Sequence, residues 1–115
     1  MAYNYQGRVR QWVEHCFGKK AADDKLERSF RFLEEALELV QTQGLTKEQA
    51  LRMADYVYGR PFGDPAQEVG GVSVTLAALC SAIGVDAESA AEDELKRIWT
   101  KVEEIRERQA SKCST

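Results

Sequence analysis

Histidine and proline are scarce in this sequence of 115 residues, which contains one histidine, His15, and two prolines, Pro61 and Pro65. A single histidine excludes a metal site built from several imidazole ligands. It also leaves serine and cysteine nucleophiles without a plausible base, because His15 is close in sequence only to Cys16. Two neighbouring prolines leave the rest of the chain free to form helices.

Cysteine, net charge and long apolar runs are also limited. The cysteines at positions 16, 80 and 113 are odd in number and widely spaced, which indicates reduced thiols rather than a disulfide framework. The net charge of −3 argues against a protein that binds nucleic-acid backbones. No transmembrane run or signal peptide stands out, so we expect a cytoplasmic protein without a membrane partner. The length predicts one domain over residues 1–115.

Hydrophobic spacing and helix-end signals predict five helices and no strand. Aspartate N-caps and capping boxes mark the helix starts, and glycines mark several of the ends. The connections between them are short, so we expect neighbouring helices to pack antiparallel in an all-α bundle with a four-helix core. The predicted helices span Tyr5 to Phe17, about Asp24 to Gln43, Thr46 to about Gly59, Pro65 to Ile83 and Asp86 to about Gln109, with a frayed tail from about residue 110.

The second predicted helix is apolar over about half of its circumference, which exceeds the ~100° stripe of a helix buried on one side. Such a helix needs burial on two sides, through either a second subunit or a central position in the bundle. We expect dimerisation to complete the bundle, as a homodimer or a dimer of dimers. The apolar positions concerned are Leu26, Phe30, Phe32, Leu33, Ala36, Leu37, Leu39 and Val40.

Acidic residues interrupt two of these apolar helices. Residues 33–39 read Leu-Glu-Glu-Ala-Leu-Glu-Leu and place Glu34, Glu35 and Glu38 on one helix, while Glu68 lies on a later helix in Gln-Glu-Val-Gly-Gly-Val. Carboxylates three or four residues apart repel one another unless a cation lies between them. Mg²⁺ prefers such hard oxygen ligands and takes others from a phosphate substrate. Solvated surface glutamates are an equally good interpretation of Glu34 and Glu35 on pattern alone.

These two acidic segments, in this order and helical context, resemble the all-α nucleoside triphosphate pyrophosphohydrolases, the MazG-like relatives of the dimeric dUTPases. That family carries Glu-x-x-Glu on one helix and Glu-x-x-Asp on a later one. Residues 55–61 and 72–80 look like a phage-type branch of the family. The likeness covers about residues 24–109. It implies Mg²⁺-dependent hydrolysis, with Mn²⁺ as an alternative metal, of a nucleoside triphosphate to a monophosphate and pyrophosphate.

Carried over to this chain, the resemblance makes Glu35, Glu38 and Glu68 metal ligands. Glu34 and Glu35 become the catalytic carboxylates, with Glu34 placed to orient or deprotonate the attacking water. The chain departs from the family pattern at Gly71, where the family has aspartate, and this departure removes one ligand. Asp64 is a candidate extra ligand, although its position before Pro65 favours a helix N-cap.

The resemblance also implies basic contacts to phosphate in the last predicted helix, where Lys101 and Arg106 are the candidates. An arginine near a helix end that extends its charge to solvent is an equally good interpretation of Arg106. A second function of a different class follows from Gly71. The chain would then be a catalytically impaired helical regulator that binds a nucleotide or a protein on the same scaffold.

Overall fold

The computed structural model describes residues 4–111, and that range is helical and contains no strand. The all-α class predicted from the sequence is therefore confirmed. The helices are α1 (Tyr5–Phe17), α2 (Lys19–Ala22), α3 (Lys25–Thr42), α4 (Lys47–Tyr58), α5 (Pro65–Ile83), α6 (Ala87–Trp99) and α7 (Val102–Ala110).

Two features of the helix layout differ from the prediction of five helices. The polar stretch before Asp24 forms the single-turn helix α2. The last predicted helix is divided into α6 and α7 around Thr100 and Lys101. The Thr100 hydroxyl and backbone N–H both donate to the Arg97 carbonyl, at 2.6 and 3.0 Å, and these local bonds replace the regular helical pattern. Most of the predicted tail lies outside the described residues.

The helix starts follow the predicted caps. Asp24, Asp64 and Asp86 each accept a hydrogen bond from the backbone N–H three residues later. Thr46 and Gln49 form the predicted reciprocal capping box. Each cap satisfies a donor that a helix N-terminus would otherwise leave unpaired, so local chemistry alone fixes these boundaries.

The core lies where α1 meets α6 and α7. Trp12, Val13, Cys16 and Leu95 form its buried cluster. The indole N–H of Trp12 donates to the Ile98 carbonyl at 3.2 Å, which joins α1 to α6. Cys80 of α5 is also buried, whereas Trp99 at the end of α6 is 42% exposed. Partly buried residues complete the cluster: Val9, Phe17, Ala22, Ile98, Val102 and Ile105.

The remaining helices leave much apolar surface exposed. Every residue of α4 except Ala50 is exposed, and α5 is buried or half-buried only towards its C-terminal end. The chain exposes 9285 Å² in total, against about 6300 Å² expected for a compact monomer of this mass. Its radius of gyration of 15.4 Å likewise exceeds the value of about 13 Å for a compact domain of this length. The single chain is thus less compact than a typical domain of its length.

Helix α5 is, by length and composition, apolar enough to cross a membrane. This differs from the expectation that no segment reaches that length, because Glu68 and the glycines interrupt the run without making it polar overall. Only 6% of the qualifying segment is buried within the chain. Helices of this length and composition occur both in membranes and in the cores of soluble proteins.

Asp23 links α2 to α1 in a way that depends on pH. It accepts hydrogen bonds from Arg10 at 2.7 Å and Lys19 at 2.8 Å, and these lower its pKa from 3.8 to about 2. Since the folded-state pKa is depressed, the stabilisation is present above pH 3.8 and is lost as the pH falls towards 2. We expect the Asp23→Asn variant to melt below the wild type at pH 6.

Thermal melts between pH 6 and pH 2 test this expectation. The difference in melting temperature between Asp23→Asn and the wild type should shrink below about pH 4 and be gone near pH 2. Asp55→Asn serves as the control, because Asp55 is exposed on α4 and makes no ion pair with the described residues. A difference that stays constant over the whole range would contradict the role assigned to Asp23.

Candidate active site

A cavity of about 470 Å³ lies between α1, α3, α6 and α7, next to the core. Its volume falls in the range typical of small-molecule sites. Apolar side chains form its floor, and charged side chains from α3, α6 and α7 surround it. The lining residues are Trp12, Phe17, Arg28, Arg31, Glu34, Glu35, Glu38, Glu94, Arg97, Ile98, Ile105, Arg108 and Gln109.

The structure brings all three glutamates of the first acidic segment, Glu34, Glu35 and Glu38, to this cavity. They lie on successive turns of α3 and form one acidic wall. Glu34 is held by Arg31 of the same helix, with 3.5 Å between the carboxylate oxygen and the guanidinium nitrogen. Carboxylates gathered beside a cavity provide hard oxygen ligands and a base.

Arginines of the same helix face the cavity beside these glutamates, and the sequence analysis did not identify them. Arg28 and Arg31 precede Glu35 and Glu38 by seven residues each, which places all four on one helical face. This two-turn repeat is the sequence signal that could have revealed them. The cavity therefore combines carboxylates for a cation with guanidinium groups for an anion.

Arg28 and Arg31 keep buried donors that lack hydrogen-bond partners. Nε of Arg28 and both Nε and Nη1 of Arg31 are buried without such a partner. These arginines make ion pairs at longer distances: Glu27 lies 3.4 Å from Nε of Arg31 and 3.8 Å from Arg28, and Glu34 lies 3.5 Å from Nη1 of Arg31. Buried donors are almost always hydrogen-bonded in folded proteins, so guanidinium groups without a close hydrogen bond retain donors that an anionic ligand could use.

Two further arginines belong to the other walls. Arg97 of α6 forms a fork with Glu94, at 2.9 and 2.7 Å. The hydrogen bond to Glu94 raises the pKa of Arg97, and the negative charges of Glu94 and Glu35 raise it further. Arg108 of α7 lines the cavity and makes no ion pair within residues 4–111. It is the cation best placed to turn towards a ligand.

Glu68, predicted as the third metal ligand, does not line the cavity. It lies at the exposed start of α5, and its carboxylate lies over Gly63, where an added Cβ would be 1.9 Å from Oε2. Asp64, the candidate extra ligand, caps α5 by accepting from the Gln67 N–H at 3.0 Å. A Cβ added at Gly71 would meet no atom within 4 Å, so nothing in the described chain crowds that position.

The predicted phosphate contacts also lie outside the cavity lining. Arg106 donates to the carbonyls of Cys16 and His15, both at 2.8 Å, and so satisfies the C-terminal end of α1. Lys101 pairs with Glu104 at 3.7 Å. Both side chains are engaged in holding the fold together, and the four cavity arginines are better placed to contact a phosphate.

The donor set of one chain fits Mg²⁺ in part. Glu35 and Glu38 offer the hard oxygens that this ion prefers. Within residues 4–111, however, no group of three side chains is arranged to hold a metal ion. The carboxylates on α3 therefore supply a partial ligand set, which a triphosphate or another carboxylate would have to complete.

No family model, curated protein or solved structure matches this chain.

Proposed function

We propose that this protein hydrolyses a nucleoside triphosphate to a monophosphate and pyrophosphate, using Mg²⁺. One observation carries the proposal: the cavity joins a wall of three glutamates to arginines whose buried N–H groups make no close hydrogen bond. Arginine forks match phosphate oxygens in charge and geometry, and carboxylates match the cation that accompanies a triphosphate. Trp12, Phe17 and Ile98 add an apolar surface of the kind that a nucleobase requires.

In this proposal each residue has a stated role. Glu35 and Glu38 would hold Mg²⁺, with Glu68 as a third ligand if assembly brings it to the cavity, and the metal would neutralise charge on the triphosphate. Arg28 and Arg31 hold the phosphate oxygens, and their unpaired donors acquire acceptors. Glu34 takes the proton of a water that attacks the α-phosphorus. The bond from that phosphorus to the bridging oxygen then breaks, and pyrophosphate leaves.

The protein should therefore release pyrophosphate from at least one member of a mixed panel of ribo- and deoxyribonucleoside triphosphates. EDTA should stop the release, and excess Mg²⁺ or Mn²⁺ should restore it, because the glutamates repel the triphosphate unless a cation lies between them. A coupled pyrophosphate assay measures this, with product identified by chromatography. Release of single phosphate, or full activity in EDTA, would rule out this reaction.

A second function is favoured by Gly71 and by the position of Glu68. Gly71 provides no carboxylate and Glu68 lies away from the cavity, so one chain offers fewer metal ligands. This is expected of a helical regulator that binds a nucleotide or a protein without hydrolysis. Nucleotide binding in the presence of Mg²⁺, with no pyrophosphate released from any member of the panel, would favour this alternative.

We infer that a second copy of the chain completes the helical bundle. The exposed area exceeds that of a compact monomer by about 3000 Å², enough for a large obligate interface. Light scattering at micromolar concentration should give at least twice the chain mass of 12.9 kDa. A sharp monomer peak would contradict the dimer and the dimer of dimers alike.

A further inference from the structure

We propose that Gln109 reads the edge of the nucleobase, and that the cavity favours nucleotides whose base carries an exocyclic amino group next to an unprotonated ring nitrogen, as in adenine and cytosine. This inference rests on the proposed function, since it assigns the base of that same substrate. Gln109 lies near the C-terminal end of α7 and lines the cavity. The proposed hydrolysis gives this side chain no role.

Gln109 differs in kind from the other polar side chains of the cavity lining. Within residues 4–111, those side chains are arginines and glutamates, apart from Trp12, whose indole N–H already donates to the Ile98 carbonyl. A nucleobase is uncharged and presents both donors and acceptors on its edge. A neutral amide donates and accepts at once, so Gln109 is the lining group that matches such an edge.

A contact with α3 fixes the orientation of the amide. Nε2 of Gln109 donates a hydrogen bond to Oε2 of Glu27, whose side chain is only 14% exposed. An ionised carboxylate accepts hydrogen bonds and donates none, so turning the amide round would set its Oε1 against Oε2 of Glu27 with no proton between them. Oε1 and the second N–H of Nε2 are therefore the amide groups left for a ligand.

This fixed amide selects a base by the group at its edge. In adenine and cytosine the amino group adjoins a ring nitrogen without a proton, so the base donates to Oε1 of Gln109 and accepts from Nε2. In hypoxanthine and uracil a carbonyl oxygen replaces the amino group. That oxygen would face Oε1 and the nearby Glu27 carboxylate, which leaves acceptors without a donor and disfavours these bases.

The order of groups along α3 matches the order of groups in a nucleotide. Glu27, which contacts Gln109, comes first, Arg28 and Arg31 follow, and Glu38 comes last. Glu38 lies about three turns after Glu27, or about 16 Å along the helix axis. The base at Gln109, the phosphates at the arginines and the metal at the glutamates then follow one another in line.

Phe17 provides an aromatic surface at the same end of the cavity as Gln109. The guanidinium carbon of Arg28 lies 5.7 Å from the centre of the Phe17 ring. Aromatic rings and guanidinium planes are the surfaces on which bases stack. Stacking alone tolerates every base, because every base has a flat face, so discrimination between bases requires the edge contact of Gln109.

Nucleoside monophosphates that differ at this edge test base selection without hydrolysis. Adenosine is compared with inosine monophosphate, and cytidine with uridine monophosphate, in titrations followed by Trp12 fluorescence in a Trp99→Phe background. The chain has two tryptophans, so this background isolates the one that lines the cavity. The amino member of each pair should bind about 10- to 100-fold more tightly. Equal affinity within both pairs, or no binding of any of the four, would overturn the proposal.

Variants of the two residues test how the base is selected. Gln109→Leu should weaken binding of the amino nucleotides until both members of each pair bind alike. Gln41→Leu, at an exposed position of α3 outside the cavity lining, should keep the wild-type preference. Glu27→Gln frees the amide to turn an N–H towards a carbonyl oxygen, so the preference for amino bases should shrink. An equal loss of affinity for all four nucleotides in Gln109→Leu would show that Gln109 only joins α3 to α7, and would overturn its role.

Hydrolysis assays separate this inference from the proposed function. Pyrophosphate release from all nucleoside triphosphates alike, in ratios that Gln109→Leu does not change, would overturn base selection and leave the hydrolysis standing. Base-selective binding of the monophosphates, without pyrophosphate release from any triphosphate, would overturn the hydrolysis and leave base selection standing.

Discussion

Replacing Glu38 by glutamine should reduce pyrophosphate release by at least about 100-fold, since loss of a supporting group near a metal alone costs 10–100-fold. The amide keeps the size of the side chain and removes the negative charge that holds the cation. Binding of Mg²⁺, followed by calorimetric titration, should be lost in parallel. The fold should persist, because Glu38 is exposed at the cavity rim and belongs to no buried cluster.

The melting temperature distinguishes this effect from unfolding. Glu38 lies one turn after Glu34, and removing one of two like charges at this spacing stabilises a helix by about 0.2–0.5 kcal/mol. The variant should melt at or slightly above the wild-type temperature in metal-free buffer. Glu48→Gln on the exposed helix α4 is the control and should keep full turnover. Near-normal turnover of Glu38→Gln would show that these glutamates are a solvated face.

Replacing Trp12 by alanine should cost about 3–5 kcal/mol of unfolding free energy, as deletion of a buried aromatic side chain typically does. Trp12 is 8% exposed, packs edge-on against Phe17 with 6.0 Å between ring centroids, and joins α1 to α6 through its N–H. The buried cluster is small, so this loss is a large part of the whole stability of a domain.

Chemical denaturation of the two tryptophan variants measures the loss. Trp99→Ala is the matched control, because Trp99 is 42% exposed and contacts mainly the His15 ring, at 5.1 Å between centroids. It should lose much less stability than Trp12→Ala. A larger loss of stability in Trp99→Ala than in Trp12→Ala would contradict the placement of the core between α1, α6 and α7.

The helix boundaries could be predicted from the sequence because they depend on neighbours in the chain. Asp24, Thr46 and Asp64 each cap the helix that follows them, through bonds that span three residues. The break between α6 and α7 at Thr100 could not be predicted from helical periodicity, because it arises from a hydrogen bond that the Thr100 hydroxyl donates to the Arg97 carbonyl. Periodicity shows which residues share a helix face, but it does not detect short breaks in the helix.

Packing was harder to predict, because it depends on which face of a helix meets the rest of the chain. The sequence predicts burial of the apolar half of α3, by either a second subunit or a central position in the bundle. In the single chain, Leu33 and Leu37 of that half are exposed, and Arg28, Arg31 and the glutamates line the cavity. The glutamate cluster could be predicted from its pattern, whereas the arginines seven residues earlier were not identified as candidates. The position of Glu68 relative to the glutamates of α3 depends on how the chains assemble, and a single sequence does not specify that arrangement.

The charges around the cavity balance. Four arginines and four glutamates line it, so the formal charge of the lining is zero, yet the two signs are separated along α3, where both arginines precede the three glutamates. Such a site has little attraction for a bare anion or a bare cation approaching from a distance. It selects ligands that carry both signs side by side, as a metal-chelated polyphosphate does. Capture should therefore depend weakly on ionic strength, in contrast to the steep salt dependence of a purely basic phosphate site.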